Sequence, residues 1–293
     1  MRAVHACLVL GTAMGLLAGP GRAMEVGTEA GLTYSDNLSR TSYVPYRMSA
    51  TVESASVSLT EARQITPGWL LVATGEAGTE LVPRFTAIDT WRSGLLLLAR
   101  HKFGLGPMAP VLELNAGAEA VSVHESGRSG WQTTAGLTLA KRITETWRVA
   151  ASTGTEDFTA GHHPFDIRGH DVQLETDWDV TQDWRLTLGA RRRWGQLTAN
   201  ADGDIYQSAL AGAFGPRVSN YYWQIPWEAS NTFGPGWVAY RVDCYADFQW
   251  AQVSYAVNAN TSLPLRYETV KVVNRAGVRY DTHLWSLNLV HRF

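Results

Sequence analysis

An all-β fold is predicted by the sequence, an antiparallel up-and-down β-barrel of about 12 strands built to cross a membrane, and three observations predict it. The last ten residues alternate: Trp285, Leu287, Leu289, His291 and Phe293 fall on one face, and Leu284, Ser286, Asn288, Val290 and Arg292 on the other. A period of two is the signature of a strand with one apolar face. A short turn motif followed by Trp recurs along the chain, and the connections between the repeats are longer and polar.

The motif reads apolar residue, Thr or Gly, two turn-compatible residues, then Trp. It occurs at Ile65-Thr66-Pro67-Gly68-Trp69, Ile143-Thr144-Glu145-Thr146-Trp147, Val180-Thr181-Gln182-Asp183-Trp184 and Phe233-Gly234-Pro235-Gly236-Trp237, with a degenerate copy at Phe103-Gly104-Leu105-Gly106-Pro107. Pro, Gly, Asp and Thr reverse a chain tightly, and Trp sits at the headgroup level with its ring buried and its N–H wet. These five segments are expected as turns at the inner rim, with Trp69, Trp147, Trp184 and Trp237 as interfacial aromatics. Their spacing leaves room for two strands and one long loop each time. Ser35 to Tyr46, Glu80 to Thr90, His124 to Gly130, Asp157 to Gly169 and Leu197 to about Val218 are the expected outer loops. Five inner turns with both termini inside give 12 strands. A sixth turn over Asn258 to Pro264 gives 14, the second choice.

Faces follow from alternation. Val26, Thr28, Ala30, Leu32 and Tyr34 are expected to meet lipid, with Glu25, Gly27, Glu29, Gly31 and Thr33 inward. Leu112, Leu114, Ala116, Ala118 and Ala120 oppose Glu113, Asn115, Gly117 and Glu119 in the same way. By the same pattern Val238, Tyr240, Val242, Cys244, Ala246 and Phe248 are expected outward, and Arg241, Asp243, Tyr245 and Asp247 inward. The run Leu95 to Leu98 breaks the alternation and is expected to touch a plug or an inward-folded loop.

Residues 1–23 carry Arg2, an apolar run from Ala6 to Ala18, and the small residues Gly21 and Ala23 before Met24. That is the pattern of a secretory signal peptide, because the run is too short to span ~30 Å of hydrocarbon as a helix. Its removal leaves 270 residues of barrel, 24–293, and takes the formal charge from −2 to −4 with the loss of Arg2 and Arg22. Cys244 then stands alone, so an intrachain disulfide and paired-cysteine metal sites are excluded. No basic stripe points to nucleic acid. Hydrophobic residues make up 45% of the chain, with 12 Trp and 11 Tyr, yet no second long uncharged apolar run follows the leader. Alternating lipid-facing and lumen-facing residues explain that combination.

The final strand, with Trp285, Leu287, Leu289 and the terminal Phe293, resembles the C-terminal strand of Gram-negative outer-membrane β-barrels, where it serves as the assembly signal. The resemblance implies an outer-membrane location, porin-like transport, contact with outer-membrane lipid and lipopolysaccharide, and recognition by the barrel-assembly machinery. Gly31-Leu32-Thr33-Tyr34-Ser35-Asp36-Asn37-Leu38 is similar to the opening strand and first loop of barrels associated with exopolysaccharide export or surface-protein assembly, which implies an accessory of such an export or assembly system; an exported polymer joins small solutes as expected cargo of a conduit.

Charge concentrates around the Val180–Trp184 turn. Asp171, Gln173, Glu175, Asp177 and Asp179 share a face before it, and Arg185, Thr187, Gly189, Arg191 and Arg193 share one after it. Pairing about Gln182 sets Asp179 against Arg185, Gln173 against Arg191 and Asp171 against Arg193. This face is expected to be the lumen, since an unpaired charge facing lipid costs ~2–4 kcal/mol at the midplane. Together with Arg241, Asp243 and Asp247 these residues form either a charge filter for solutes or a salt-bridge network that fills a narrow lumen.

His124-Glu125-Ser126-Gly127-Arg128 is similar to the catalytic segment of outer-membrane phospholipases, which implies His124 as base and Ser126 as nucleophile. The likeness ends at Gly127, where that family has Asn, and no Asn follows within the next strand to orient His124. His162-His163-Pro164-Phe165-Asp166, with His170 nearby, holds metal-ligand residue types, but adjacent His point different ways on an extended chain. No metal or cofactor is expected. The sequence leads to a channel or conduit, with a closed-lumen structural or assembly accessory as the alternative and a lipid hydrolase third.

Overall fold

The computed structural model describes residues 24–203, 227–228, 230–274 and 279–293. The expected leader, 1–23, lies outside the described residues. The strands are β1 Met24–Ser35, β2 Ala50–Thr66, β3 Trp69–Leu81, β4 Thr90–Lys102, β5 Val111–Val123, β6 Gly130–Arg142, β7 Trp147–Ala160, β8 Ile167–Asp179, β9 Trp184–Asp202, β10 Trp227–Glu228, β11 Trp237–Asn258, β12 Thr261–Asn274 and β13 Arg279–Arg292. All but the two-residue β10 form a closed ring of 12 antiparallel strands. Closure comes from β1 on β13, from Gly27 opposite Arg292 to Ser35 opposite Leu284. With the ring closed, the barrel wall exposes no sheet edge to lipid.

Alternation is visible in exposure. Leu32, Val57, Leu71, Leu97, Leu114, Leu137, Leu174, Leu188, Leu265, Leu287 and Leu289 all project from the outer surface. Leu96 and Leu98 of the leucine run lie on the inner face of β4, opposite Gly117 and Asn115, and Leu95 and Leu97 on the outer face.

The inner turns are at 67–68, 103–110, 143–146, 180–183 and 259–260. Four are among the five expected for 12 strands, and the fifth falls within Asn258 to Pro264, the segment expected as a turn only in a 14-stranded barrel. Phe233-Gly234-Pro235-Gly236-Trp237 lies at the outer end, between the short helix Ser230–Phe233 and β11, and the chain reverses inside between Asn258 and Thr261. The motif's chemistry is shared by any tight reversal: Gly234 and Gly236 have φ of 113° and 84°, a conformation Gly adopts without strain. Trp237 is therefore not an inner-rim aromatic. It is 5% exposed, whereas Trp69, Trp147 and Trp184 are exposed on the outer surface.

β9 and β11 outrun their neighbours. β8 pairs with β9 only as far as Gly195, and β12 with β11 only as far as Cys244. Beyond, 196–202 and 237–243 pair with each other, and β10 adds two residues to β11. This ribbon departs from the wall at Gly195, which has φ 137°. Both of its faces are buried, with Ala239 at 0%, Ala199 and Val242 at 3% and Arg241 at 6% exposure.

One face meets loops from around the ring. Arg241 Nη1 donates to the Asp166 carbonyl at 2.7 Å and Thr198 Oγ1 to that of Pro164 at 2.9 Å, both between β7 and β8. Asn200 Nδ2 donates to the Ser39 carbonyl at 2.9 Å, between β1 and β2. Phe85, from the β3–β4 connection, packs edge-on to Phe233 at 5.3 Å, and Tyr46 edge-on to Trp237 at 5.7 Å. Since β3 and β9 lie on opposite sides of the ring, these contacts carry an apolar cluster across the outer mouth.

A Cβ at Gly195 would lie 2.1 Å from the Arg168 carbonyl oxygen, and at Gly106 would meet nothing within 4 Å. Gly195→Ala is expected to destabilise the barrel by about 1–3 kcal/mol and Gly106→Ala to leave it unchanged. Urea unfolding in lipid vesicles followed by tryptophan fluorescence checks both.

Candidate functional site: the charged lumen and its cap

The inner wall is written by the strands that follow the turns. β8 and β9 reverse about Gln182, which sets Asp179 opposite Arg185, Asp177 opposite Thr187, Gln173 opposite Arg191 and Asp171 opposite Arg193. These side chains share the face opposite the exposed Val172, Leu174, Trp178 and Leu188. Arg185 Nε donates to Asp179 at 2.6 Å, Arg148 Nη1 to Asp177 at 2.7 Å, and Thr187 Oγ1 to Asp177 at 2.8 Å. Higher up, Arg193 Nη1 holds Glu156 at 2.6 Å. A vestibule of about 910 Å³ opens here toward the inner side, lined by Arg148, Glu175, Asp177, Arg185, Trp250 and Arg266 among others.

Two arginines are stacked rather than ion-paired to a facing strand. Arg191 lies 4.1 Å over the Phe248 ring and Arg266 4.7 Å over Trp250, a geometry that suits the planar guanidinium. Arg266 also bonds Glu268. Trp250 fits against β9 because its partner is Gly189, where a Cβ would sit 2.0 Å from the indole.

These contacts fix the face of β11 and overturn its expected orientation. Phe248 and Trp250 point inward beside Arg191 and Gly189, so the even positions face the lumen. Cys244 and Ala246 are buried inside with Val272 and Tyr280. Asp247 is on the outer surface, in a bidentate pair with Arg192 at 2.6 and 2.8 Å. Asp243 lines an outer groove with Arg168 and His170, and Arg241 belongs to the cap. The apolar alternation of Val238 to Phe248 predicts a lipid face, and the structure assigns it elsewhere. Its apolar partners are the cap and the inner cluster.

The opposite wall carries acids that the sequence reading did not assemble into a site. Glu29 on β1, Glu76 and Glu80 on β3 and Glu119 on β5 all face inward. Arg92 reaches Glu80 at 3.4 Å and Glu119 at 3.9 Å. β3 stands six strands from β9 in either direction around the ring. Glu76 follows Trp69 by seven residues and Arg191 follows Trp184 by seven, both leaving an inner turn. The two therefore face each other across the lumen at matching height. Even spacing of Glu76, Gly78 and Glu80 was the available signal.

His124 and Ser126 are both exposed in the β5–β6 connection, and among the described residues no hydrogen bond joins their side chains. The residue between them is the structural one. Arg128 Nε donates to Glu125 at 2.8 Å, and its guanidinium lies 4.3 Å over Phe165. Thr232 Oγ1 donates to the same Glu125 oxygen at 2.8 Å. Burial pushes the Arg128 guanidinium down from its ordinary range, and Glu125 opposes that shift. His163 Nδ1 lies 2.9 Å from Asp166.

No protein-family profile and no curated protein matches the sequence. Among solved structures, an outer-membrane channel from Pseudomonas putida F1 superposes with a TM-score of 0.56 over 94% of this chain and 97% of its own, at 12% identity. The KdgM porin in complex with disordered oligogalacturonate covers 91% of this chain and 99% of its own at a TM-score of 0.45 and 10% identity. The NanC porin covers 90% and 98%, at 0.45 and 7%. The likeness to the Pseudomonas channel is one of fold, a closed up-and-down antiparallel β-barrel.

Glu125→Ala leaves the buried Arg128 without its carboxylate, an expected cost of about 3–5 kcal/mol. Amide exchange at 161–166 and 230–233 is expected to accelerate in this variant while β2 to β6 stay protected; unchanged exchange would mean that the pair does not hold the cap.

Proposed function

We propose that the protein is an outer-membrane channel for small hydrophilic solutes, exported by a cleaved leader over residues 1–23 and assembled through its C-terminal strand by the barrel-assembly machinery. One observation carries this reading: Arg191 on β9 stands across the lumen from Glu76 on β3, with a polar vestibule of about 910 Å³ below them. Opposed charges set a field across the pore, which orients dipolar solutes and discriminates ions. Protein around a water-filled lumen is also where such charges are tolerated within a membrane.

The cap favours a second reading on its own evidence. A ribbon buried on both faces, bonded to loops from two other connections, is more than a loose lid, and a permanently capped barrel suits a structural or assembly accessory of an export system. In the channel reading the cap narrows the outer mouth and solutes pass beside or through it. An exported polymer as cargo would need the cap displaced. A lipid hydrolase on His124 and Ser126 draws no support from two exposed side chains that no hydrogen bond joins among the described residues.

Planar-bilayer conductance of the refolded protein separates these readings. Stable channels are expected, with selectivity moving toward cations in Arg191→Ala/Arg193→Ala and toward anions in Glu29→Gln/Glu76→Gln. Folded barrels that carry no current would sink the channel reading and leave the accessory one.

A further inference from the structure

Among the described residues one that is not glycine has a positive φ, Arg40 at 52°. A left-handed backbone is uncommon for so large a side chain, and it persists only where the surroundings over-determine it. The β1–β2 connection does so. Arg40 N–H donates to the Asn37 carbonyl at 3.1 Å. Asn37 Oδ1 accepts from Thr41 N–H at 3.2 Å, and its Nδ2 donates to the Thr41 carbonyl at 3.1 Å and to that of Asp281 at 3.0 Å. Ser39 Oγ donates to the Tyr46 carbonyl at 3.0 Å and accepts from Met48 N–H at 3.1 Å, while the Ser39 carbonyl holds Asn200 of the ribbon. Asn37, Ser39 and Thr41 are buried, and Arg40 between them is exposed. The loop is tightly held and presents one cation.

Among the described residues Arg40 has no carboxylate within ion-pair distance. Its charge is felt at Arg128 in the cap and at Cys244 and Tyr280 in the inner cluster, which places it at the mouth between the two. Arg191, further down, is unpaired in the same sense. It stacks on Phe248, and its Nε is buried without a hydrogen-bond partner. Arg148, Arg185 and Arg193 on the same wall each hold a carboxylate instead. A guanidinium with N–H donors to spare matches the edge of a carboxylate.

The opposite wall has unpaired charge of the other sign. Glu29 and Glu76 flank β2, whose small inward residues Ser56 and Ser58 lie between them, and Gly94 of β4 separates Glu76 from Glu119. Arg92 is turned to Glu80 and Glu119, and among the described residues neither Glu29 nor Glu76 has a cation within ion-pair distance. No group of three acids, histidines or cysteines among the described residues could hold a metal ion, so an organic ammonium is the cation this wall suits. A simple anion entering the lumen meets the acidic wall, and a simple cation meets Arg40 and Arg191. A solute that carries both signs finds a partner on each side.

We propose that Arg40 is a specificity-determining residue for zwitterionic, amino-acid-like solutes: it takes the carboxylate at the mouth and passes it to Arg191, while the ammonium turns toward Glu29 and Glu76. This assignment rests on the channel reading and names its substrate class. It also gives the strained backbone a use, since the left-handed turn is what lifts Arg40 out of a buried loop.

The test is swelling of proteoliposomes that contain the full barrel, in isosmotic γ-aminobutyrate, a zwitterion, or γ-hydroxybutyramide, a neutral solute of similar size. Wild type is expected to admit the zwitterion about two- to fivefold faster, the range an exposed ion pair supplies. Arg40→Gly takes the left-handed backbone without strain, so the loop keeps its shape and loses its charge, and the advantage of the zwitterion is expected to vanish. Arg40→Lys, which keeps the charge, is expected to retain it, and Glu76→Gln to reduce it. Equal entry of the two solutes through wild type, or an undiminished advantage in Arg40→Gly, would overturn the proposal and leave the channel standing. Folded barrels that admit neither solute would overturn the channel reading and this assignment with it.

Discussion

Pairing of β1 with β13 is the constraint on which everything else depends. A sheet that left either strand open would carry a row of unsatisfied N–H and C=O groups into hydrocarbon, at several kcal/mol each. Closing the ring at 12 strands satisfies the wall and at the same time creates an interior too wide to be filled by side chains of modest size. The polar residues that alternate with the lipid face must then live around that interior. The lumen charges, the vestibule and the need for a cap all follow from closure.

The cap is the second consequence. Loops at the outer mouth bring apolar residues, Phe85, Phe165, Phe233 and Tyr46 among them, that have no place in water or against the charged wall. The β9–β11 ribbon gives them a surface. It can do so because both strands run past their neighbours, and because Gly195 permits the bend at which the ribbon leaves the wall. Arg128 and Glu125 add the buried ion pair, and the guanidinium's contact with Phe165 joins the polar and apolar parts.

Much of this was legible in the sequence, for local reasons. Period-two alternation with a terminal Phe gave the last strand, and the turns before Trp69, Trp147 and Trp184 gave hairpins whose register about Gln182 pairs acid with base. What misled was chemistry that is not unique to its context. Phe233-Gly234-Pro235-Gly236-Trp237 reads as an inner turn because Gly and Pro reverse chains at either rim, whereas the turn at Ala259-Asn260 has no Trp after it. The strand total survived because one turn was lost and one gained. β11 was inverted for a related reason: Val238, Val242, Cys244 and Ala246 are apolar because the cap and lumen cluster are apolar, and alternation alone does not say which apolar phase a strand faces. Glu76 facing Arg191 depends on ring position, which only the closed sheet reveals.

If the barrel is the channel proposed above, the ribbon spans the mouth of a conducting lumen. Cysteines introduced at Ser39 and Asn200, in a background lacking the native cysteines, would tie the ribbon to the β1–β2 connection where Asn200 already donates to Ser39. Conductance recorded before and after reduction is the most direct test. The pair is expected to cross-link spontaneously, and reduction to raise the current or its fluctuations. Failure to cross-link, or current indifferent to reduction, would contradict that arrangement.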